Sequence, residues 1–425
     1  MNTNITDYGA VADSSVVCTA AIQSAIDACA ASGGGRVTVP AGTFISGTIW
    51  LKSHVELHLE HGSKLVASTQ REDYNALDAY EQNYSCLHEE WLGQHFILAI
   101  EQEDVAITGS GTLDGSGDSF FGEPRKMGGA GWMYGFALAK DKEQMRPGQL
   151  ICFIECSRVA MADATVINAP CWSCFFHGCE VVSIRGLKIF NPPYCGNTDG
   201  IDIDSCRYVT VSDCIIQTGD DAIAVRCAAH RLRNKERICE YITITNCCLS
   251  ACASIIRFGV GYGAIKHVQV SNLTVREAGS MFTFMTGYLG KGHVEIEDVH
   301  VQNVSAANVR RPFNIQDASE AGIRHISFSD IRTDARYPAE IATTKDGTIS
   351  DIVFRNVDIE ANTSRKKPGK ENEVAQNVMN YKGVQDLLLE RVRIHVEESL
   401  RDEWAQDVHF ENCTEVEIYR CKYNL

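Results

Sequence analysis

Val182-Ser-Ile-Arg-Gly186, Val209-Thr-Val-Ser-Asp213, Ile242-Thr-Ile-Thr-Asn246 and Val268-Gln-Val-Ser-Asn272 are four copies of one short template. It continues as Val294-Glu-Ile-Glu-Asp298, Ile326-Ser-Phe-Ser-Asp330 and Ile352-Val-Phe-Arg-Asn356. Each copy alternates apolar and polar residues, which marks a strand with one buried face. Each then sets Gly, Asn or Asp four residues after the first apolar one, and these residues tolerate the left-handed backbone of a sharp corner. The starting positions step by 27, 33, 26, 26, 32 and 26 residues, the range of a solenoid coil. Strands joined through such corners stack in parallel on the next coil instead of folding back as hairpins. Parallel crossovers are right-handed. The template therefore predicts an all-β chain wound as a right-handed parallel β-helix; a propeller or sandwich needs hairpin turns that this chain does not supply.

Working outward, Val55-Glu-Leu-His-Leu59 and Val105-Ala-Ile-Thr-Gly109 extend the pattern toward the amino end. Leu387-Leu-Leu-Glu-Arg391 and Val416-Glu-Ile-Tyr-Arg420 are looser copies at the far end, so residues 1–425 read as one β-helix domain. An open solenoid end exposes unpaired strand edges and requires a cap. Residues 1–36 fit that need. Ile22, Ala25, Ile26 and Cys29 fall at helical spacing within Thr19 to Ser32, with Thr19 as N-cap and Gly33 to Gly35 as the stop. Three stretches break the rhythm and are expected as rim loops: 72–94, 115–147 and 365–380. The second carries Phe120, Phe121, Trp132, Tyr134 and Phe136, which serve either as a sugar-stacking wall or to pack the loop on itself. The third holds Arg365, Lys366, Lys367 and Lys370 and reads as a solvated charged loop.

The formal net charge of -16 argues against nucleic acid or an anionic membrane as partner, since both demand a basic surface. It mildly disfavours a polyanionic substrate as well. No segment reaches the roughly 18 consecutive apolar residues of a membrane span. Met1 to Asp7 lacks the basic start and apolar core of an export signal, so a cytoplasmic location is expected. The 18 cysteines then read as reduced thiols acting as small apolar core residues. Cys171-Trp-Ser-Cys174 has a C-x-x-C form, but no second ligand pair follows at zinc spacing and no thioredoxin-like setting surrounds it. Neither a metal nor a cofactor is expected.

Chemistry concentrates in Asn197-Thr-Asp199-Gly200 and Gly219-Asp220-Asp221. Asp199 and Asp220 are 21 positions apart, on the scale of one coil. Stacked coils would bring Asp199 to about 4.8 Å from Asp220 and Asp221. Like charges that close shift one another's pKa, so one carboxyl keeps a proton while another stays ionised. Such a pair donates a proton and activates a water, as glycosidic hydrolysis requires. An Asn/Asp-rich run of β-turns is the alternative for either motif taken alone.

With these motifs on the page, the sequence resembles the family 28 glycoside hydrolases, the polygalacturonase-like enzymes. The likeness also rests on Asp7-Tyr-Gly-Ala10, Ala21-Ile-Gln-Ser-Ala-Ile26, Gly33 to Gly42, Gly109-Ser-Gly-Thr-Leu-Asp-Gly115 and Asn168-Ala-Pro-Cys-Trp172. It implies inverting hydrolysis, with Asp220 as general acid, Asp199 and Asp221 holding and deprotonating a water, and Asn197 orienting that water or a sugar hydroxyl. Inversion in turn implies carboxyl separations of about 6.5–9.5 Å. Two family motifs are missing. Where Gly-His-Gly is expected the chain reads Ala253-Ser-Ile-Ile-Arg257-Phe-Gly259, and where Arg-Ile-Lys would hold a uronate it reads Thr283-Phe-Met285-Thr286. Arg257 either substitutes for the lost cation or pairs with a neighbouring carboxylate. Trp172 is a further candidate substrate contact, and His177 is either a sugar contact or a structural hydrogen bonder.

The implied activity is a cytoplasmic, exo-acting hydrolase of short plant or pectin-derived oligosaccharides or glycosides. A β-helix lyase or epimerase would need Lys, Arg or a metal around the substrate acid. A non-catalytic carbohydrate-binding solenoid would have no need of three aspartates.

Overall fold

The computed structural model describes residues 2–125, 134–288, 291–345, 348–362 and 376–424. Trp132 and the four basic residues of the third rim loop lie outside them. One continuous parallel sheet of 32 strands winds as a right-handed β-helix. Its interior is built from columns of identical parity. Phe153 pairs with Phe176, Phe176 with Ile203, Ile203 with Val225 and Val225 with Phe258. Phe153 and Phe176 lie face to face at 5.2 Å, and Phe258 stacks on Phe284 at 4.5 Å. Burial of each such side chain contributes roughly 1.5–3 kcal/mol.

The corner residues behave as the template predicts. Gly186, Asp213, Asn246, Asn272, Asp330 and Asn356 all have φ between 53° and 65°. The fifth copy requires a correction. Val268 pairs with Val299 and Val299 with Ile326, so that copy is Val299-His-Val-Gln-Asn303, with its corner at Asn303. Val294-Glu-Ile-Glu-Asp298 is the preceding strand of the same coil, where Ile296 faces Ile265. It also alternates and also ends in a left-handed residue, Asp298, at φ 56°. A second column of left-handed corners runs through Val181, Tyr208, Tyr241, His267, Asp298, His325 and Asp351. Alternation with a terminal Asp does not distinguish the two strands of a coil.

A helix, α1 (Thr19–Ala31), sits at the amino end and buries Ile22, Ala25, Ile26 and Cys29. Gly33 to Gly35 follow with φ of 90° to 138°, which ends the helix. Thr19 is not its N-cap. Cys18 holds that position without a side-chain cap, because the Thr19 hydroxyl instead accepts the Gly47 N–H at 2.7 Å. Fourteen of the cysteines are buried, the exceptions being Cys86, Cys248, Cys413 and Cys421. Cys171 and Cys174 are wholly buried, and that burial raises both thiols. Among the described residues no helix is long and apolar enough to cross a membrane.

The first two rim loops are tied to each other, since Trp91–Leu92 pairs in parallel with Arg146–Pro147. Phe121 is buried against Ala137 and Cys195. The Phe136 ring lies on Gly196, where an added Cβ would fall 2.2 Å from it. Tyr134 donates its hydroxyl to Glu277 at 3.1 Å. Phe121, Tyr134 and Phe136 thus pack the loop onto the coil.

Candidate active site

The Asn197–Gly200 turn leads into the strand Ile201–Asp204, and the next turn, 219–222, leads into Ile223–Ala228. Ile201 pairs with Ile223 and Asp204 with Arg226, a step of 22 residues. Asp221 is therefore the partner of Asp199 on the adjoining rung, with Asp220 one residue before it. The Gly200 N–H donates to the Asp221 carbonyl at 3.0 Å and the Ala222 N–H to the Ser254 carbonyl at 2.8 Å. The two turns are locked together, because the Gly219 N–H donates to the Thr198 hydroxyl at 3.2 Å. Gly219 is required here, as an added Cβ would meet the Cys195 carbonyl oxygen at 2.1 Å.

Oxygens of Asp199, Asp220 and Asp221 lie within 4.8 Å of one another, as the coil offset predicts. They are closer than the wide separation implied by inversion. A single water accepting no strain can bridge two oxygens about 4.5 Å apart with two ordinary hydrogen bonds. Three carboxylates this close also form an oxygen donor set for a hard cation. Here two guanidiniums already stand beside them: Arg226 and Arg257 both line the cleft.

The three aspartates differ in their partners. Asp221 accepts from Arg257 through both oxygens, with Nη2 at 3.3 Å from Oδ1, and from the Ser254 N–H at 2.7 Å. It is the held member of the set. Asp220 accepts the Asn197 N–H at 3.1 Å. Burial first, then the Asp221 carboxylate, push the Asp220 carboxyl up to about 7, against the pull of Arg257 and the Asn197 N–H. Asp199 is 5% exposed and its Oδ1 is buried without a hydrogen-bond partner. Burial and the charges of Asp202, Asp220 and Asp221 push Asp199 well above the carboxylate range, with Arg226 opposing. Asp220 and Asp199 thus favour their protonated forms beside an Asp221 carboxylate held by Arg257.

Asn197 lines the cleft with a left-handed backbone, φ 53°. Its Oδ1 accepts from Arg146 Nη2 at 2.6 Å. Trp172 also lines the cleft, and Arg226 lies over its ring at 4.2 Å. Arg257 both lines the cleft and pairs with Asp221, so its second reading, a partner for a neighbouring carboxylate, is the one its contacts support. It precedes the place of the missing cations by one coil, with Ser254 Oγ 2.9 Å from Thr283 Oγ1. His177 is not a sugar contact in this structure. It is 1% exposed, its Nε2 sits 3.3 Å from the Ala228 carbonyl, and burial lowers its pKa.

Several site residues escaped the sequence. Arg226 stands 3.6 Å from both Asp202 and Asp204, beneath the aspartate triplet. The 22-residue step that links Asp199 to Asp221 also links Asp204 to Arg226, and would have found it. Arg146 is wholly buried and donates to the Pro170, Gly196 and Glu89 carbonyls at 2.7, 2.9 and 2.8 Å besides Asn197. Glu89 and Tyr288 complete the wall. Arg146 and Glu89 come from irregular rim loops, where no periodicity marks them. A larger concavity near Arg36, His54 and Asp104 lies at the amino end, away from these groups, and carries none of this chemistry.

The family model for glycosyl hydrolases family 28 matches residues 29–369. The chain belongs to this family. It is 28% identical over 268 residues to a probable polygalacturonase of Vitis vinifera, covering 60% of this chain and 51% of that one. It is 29% identical over 253 residues to an exo-poly-alpha-D-galacturonosidase of Dickeya chrysanthemi, covering 52% and 41%. The chain thus spans about half the length of these relatives. Among solved structures, the family 28 exopolygalacturonase of Yersinia enterocolitica superposes with a TM-score of 0.67 at 19% identity, over 98% of this chain and 78% of that one. That likeness shows the shared β-helix.

Proposed function

We propose that this family 28 hydrolase removes a terminal sugar unit from short plant or pectin-derived oligosaccharides or glycosides, and that the unit at the cleaved bond is neutral. Asp220 acts as general acid: half-buried at the cleft, with its carboxyl near 7, it is protonated for much of the population at neutral pH. Asp221, the carboxylate paired with Arg257, takes the proton from a water that Asp199 helps to hold. Asn197 presents the remaining amide of a side chain already fixed by Arg146. The bond from anomeric carbon to leaving oxygen breaks as the water adds, with Asp220 supplying the proton to the leaving group.

The single observation carrying the substrate class is the charge of the cleft. Among the described residues, Glu89, Asp199, Asp220 and Asp221 line it against Arg226 and Arg257, and both guanidiniums already lie within 4 Å of carboxylates. A uronate entering there would have no uncommitted cation and would cost several kcal/mol, ~3–5 by analogy with a broken buried pair. The exo reading draws on the walls. The cleft is small, about 60 Å³, and is bounded by Glu89 of a rim loop paired to its neighbour. The buried thiols suit a reducing, cytoplasmic setting.

A second reading has one observation in its favour. Carboxyl oxygens within 4.8 Å approach the about 5–5.5 Å spacing of retaining enzymes, in which Asp199 or Asp221 would attack the sugar itself. The deciding panel for substrate is reducing-sugar release from oligosaccharides with neutral or uronate ends, with and without a metal chelator. Release confined to neutral ends and indifferent to chelator is expected. A higher kcat/KM on oligogalacturonides would overturn the neutral assignment.

A further inference from the structure

The rim loop that supplies Glu89 carries a second set of ligating groups outside the aspartate triplet. Cys86, His88 and Glu89 each bring a donor atom to a place where all three lie within 4.8 Å of one another. Cys86 Sγ and His88 Nδ1 are 3.4 Å apart. Two ligands at about 2.3 Å and 2.0–2.1 Å from a tetrahedral zinc stand roughly 3.5 Å apart, so this pair is spaced for a shared ion. The backbone is held ready for it. The Cys86 N–H donates to the Trp91 carbonyl at 2.9 Å and the Trp91 N–H returns to the Cys86 carbonyl at 3.2 Å, closing a tight hairpin around residues 87–90. The third ligand is aimed as well, since the Trp91 indole N–H donates to Glu89 Oε2 at 2.8 Å. Outer hydrogen bonds of that type orient first ligands in metal sites.

We propose that Cys86, His88 and Glu89 form a binding site for a zinc-class divalent ion at the rim of the cleft, and that its occupancy inhibits the enzyme. The sulfur, nitrogen and oxygen donors form a borderline-soft set that selects zinc or cobalt over calcium and magnesium. Three protein ligands leave a fourth position for water. Cys86 is partly exposed and His88 exposed, so the ion reaches the site without opening the fold. Inhibition follows from Glu89, which also lines the cleft: the ion takes up the carboxylate charge of the wall that the substrate meets. The proton transfers proposed at the aspartate triplet need no such ion, so its ligands are not those of the catalytic step.

The test uses the full-length enzyme with Co²⁺ and Zn²⁺ alone as probes. One equivalent of Co²⁺ is expected to give a thiolate-to-cobalt charge-transfer absorption that Zn²⁺ displaces. Cys86→Ser should abolish that absorption, and Cys86→Ser and His88→Ala should each weaken Zn²⁺ binding by more than the about 10–100-fold that loss of an outer-shell partner costs. Both variants should keep metal-free kcat/KM unchanged and resist inhibition by Zn²⁺. Absence of stoichiometric binding, or a charge-transfer band that survives in Cys86→Ser, would refute the site. Stoichiometric binding with undiminished kcat/KM would refute the inhibitory role.

Discussion

Replacing Asp220 by Asn should destroy activity and stabilise the protein, with the gain growing as pH rises. The carboxyl's ordinary value is 3.8, and burial beside Asp221 brings it to about 7 in the folded chain. Below pH 3.8 folded and unfolded chains both hold the proton, and Asp220 contributes nothing to the pH dependence. Between 3.8 and about 7 the unfolded chain releases it while the folded chain keeps it, so stability falls as pH rises through this window. Above about 7 the loss is complete. At ~1.4 kcal/mol per unit the ceiling is about 4 kcal/mol. Asp220 is half-buried rather than sealed, so solvent screening reduces this, and an advantage of about 1–3 kcal/mol for Asp220→Asn at pH 8 is expected. Asn has nearly the same volume, and its carbonyl can still accept the Asn197 N–H, so the fold is preserved. Turnover should fall about 10²–10⁴-fold, least for substrates whose leaving group needs no proton. Thermal or denaturant unfolding of both proteins from pH 4 to 8 measures the difference. An Asp220→Asn variant no more stable than wild type at pH 8, or equally advantaged at pH 4, would refute the reasoning.

Arg257→Met leaves Asp221 buried without its partner, so we expect a loss of about 3–5 kcal/mol in stability. Because Arg257 holds the Asp220 carboxyl down, the residual activity should lose its alkaline limb at higher pH than wild type; an alkaline limb that stays put or moves down would contradict this. Arg146→Met strands four acceptors, the Pro170 and Gly196 carbonyls in buried hydrogen bonds and the Glu89 carbonyl and Asn197 Oδ1 in part-buried ones, and should cost about 3 kcal/mol and lower kcat more than KM; Arg146→Lys should not restore it, since an ammonium lacks the planar fork. Proton NMR of the first-formed product should show the inverted anomer, and net retention would rule out the water mechanism.

Much of the coil was legible because two independent signals coincide at each corner. Alternation sets which side chains face inward, and a Gly, Asn or Asp supplies the left-handed turn, as at Asp213 and Asn246. The fifth copy slipped because a coil has two such corners, and Asp298 closes the wrong one as convincingly as Asn303 closes the right one. Long-range pairing, Val268 with Val299, is what separates them, and no local pattern carries it. The same reasoning divides the site. Asp199, Asp221, Asp204 and Arg226 sit on strands or at their entrances, so a single register of 22 residues places all four. His177 misled because its strand, Cys174–His177, is buried throughout, so alternation there gives no sign of which side faces solvent. Arg146 and Glu89 obey no period. Their place is fixed by where two rim loops meet, through the pairing of Trp91–Leu92 with Arg146–Pro147 and by the acceptors those loops leave unpaired. A buried guanidinium serving four neutral oxygens is a tertiary event, and it decides how Asn197 faces the cleft. The coil therefore supplies the clustered carboxylates, while the rim loops, which can vary without disturbing the coil, supply the groups that wall the cleft.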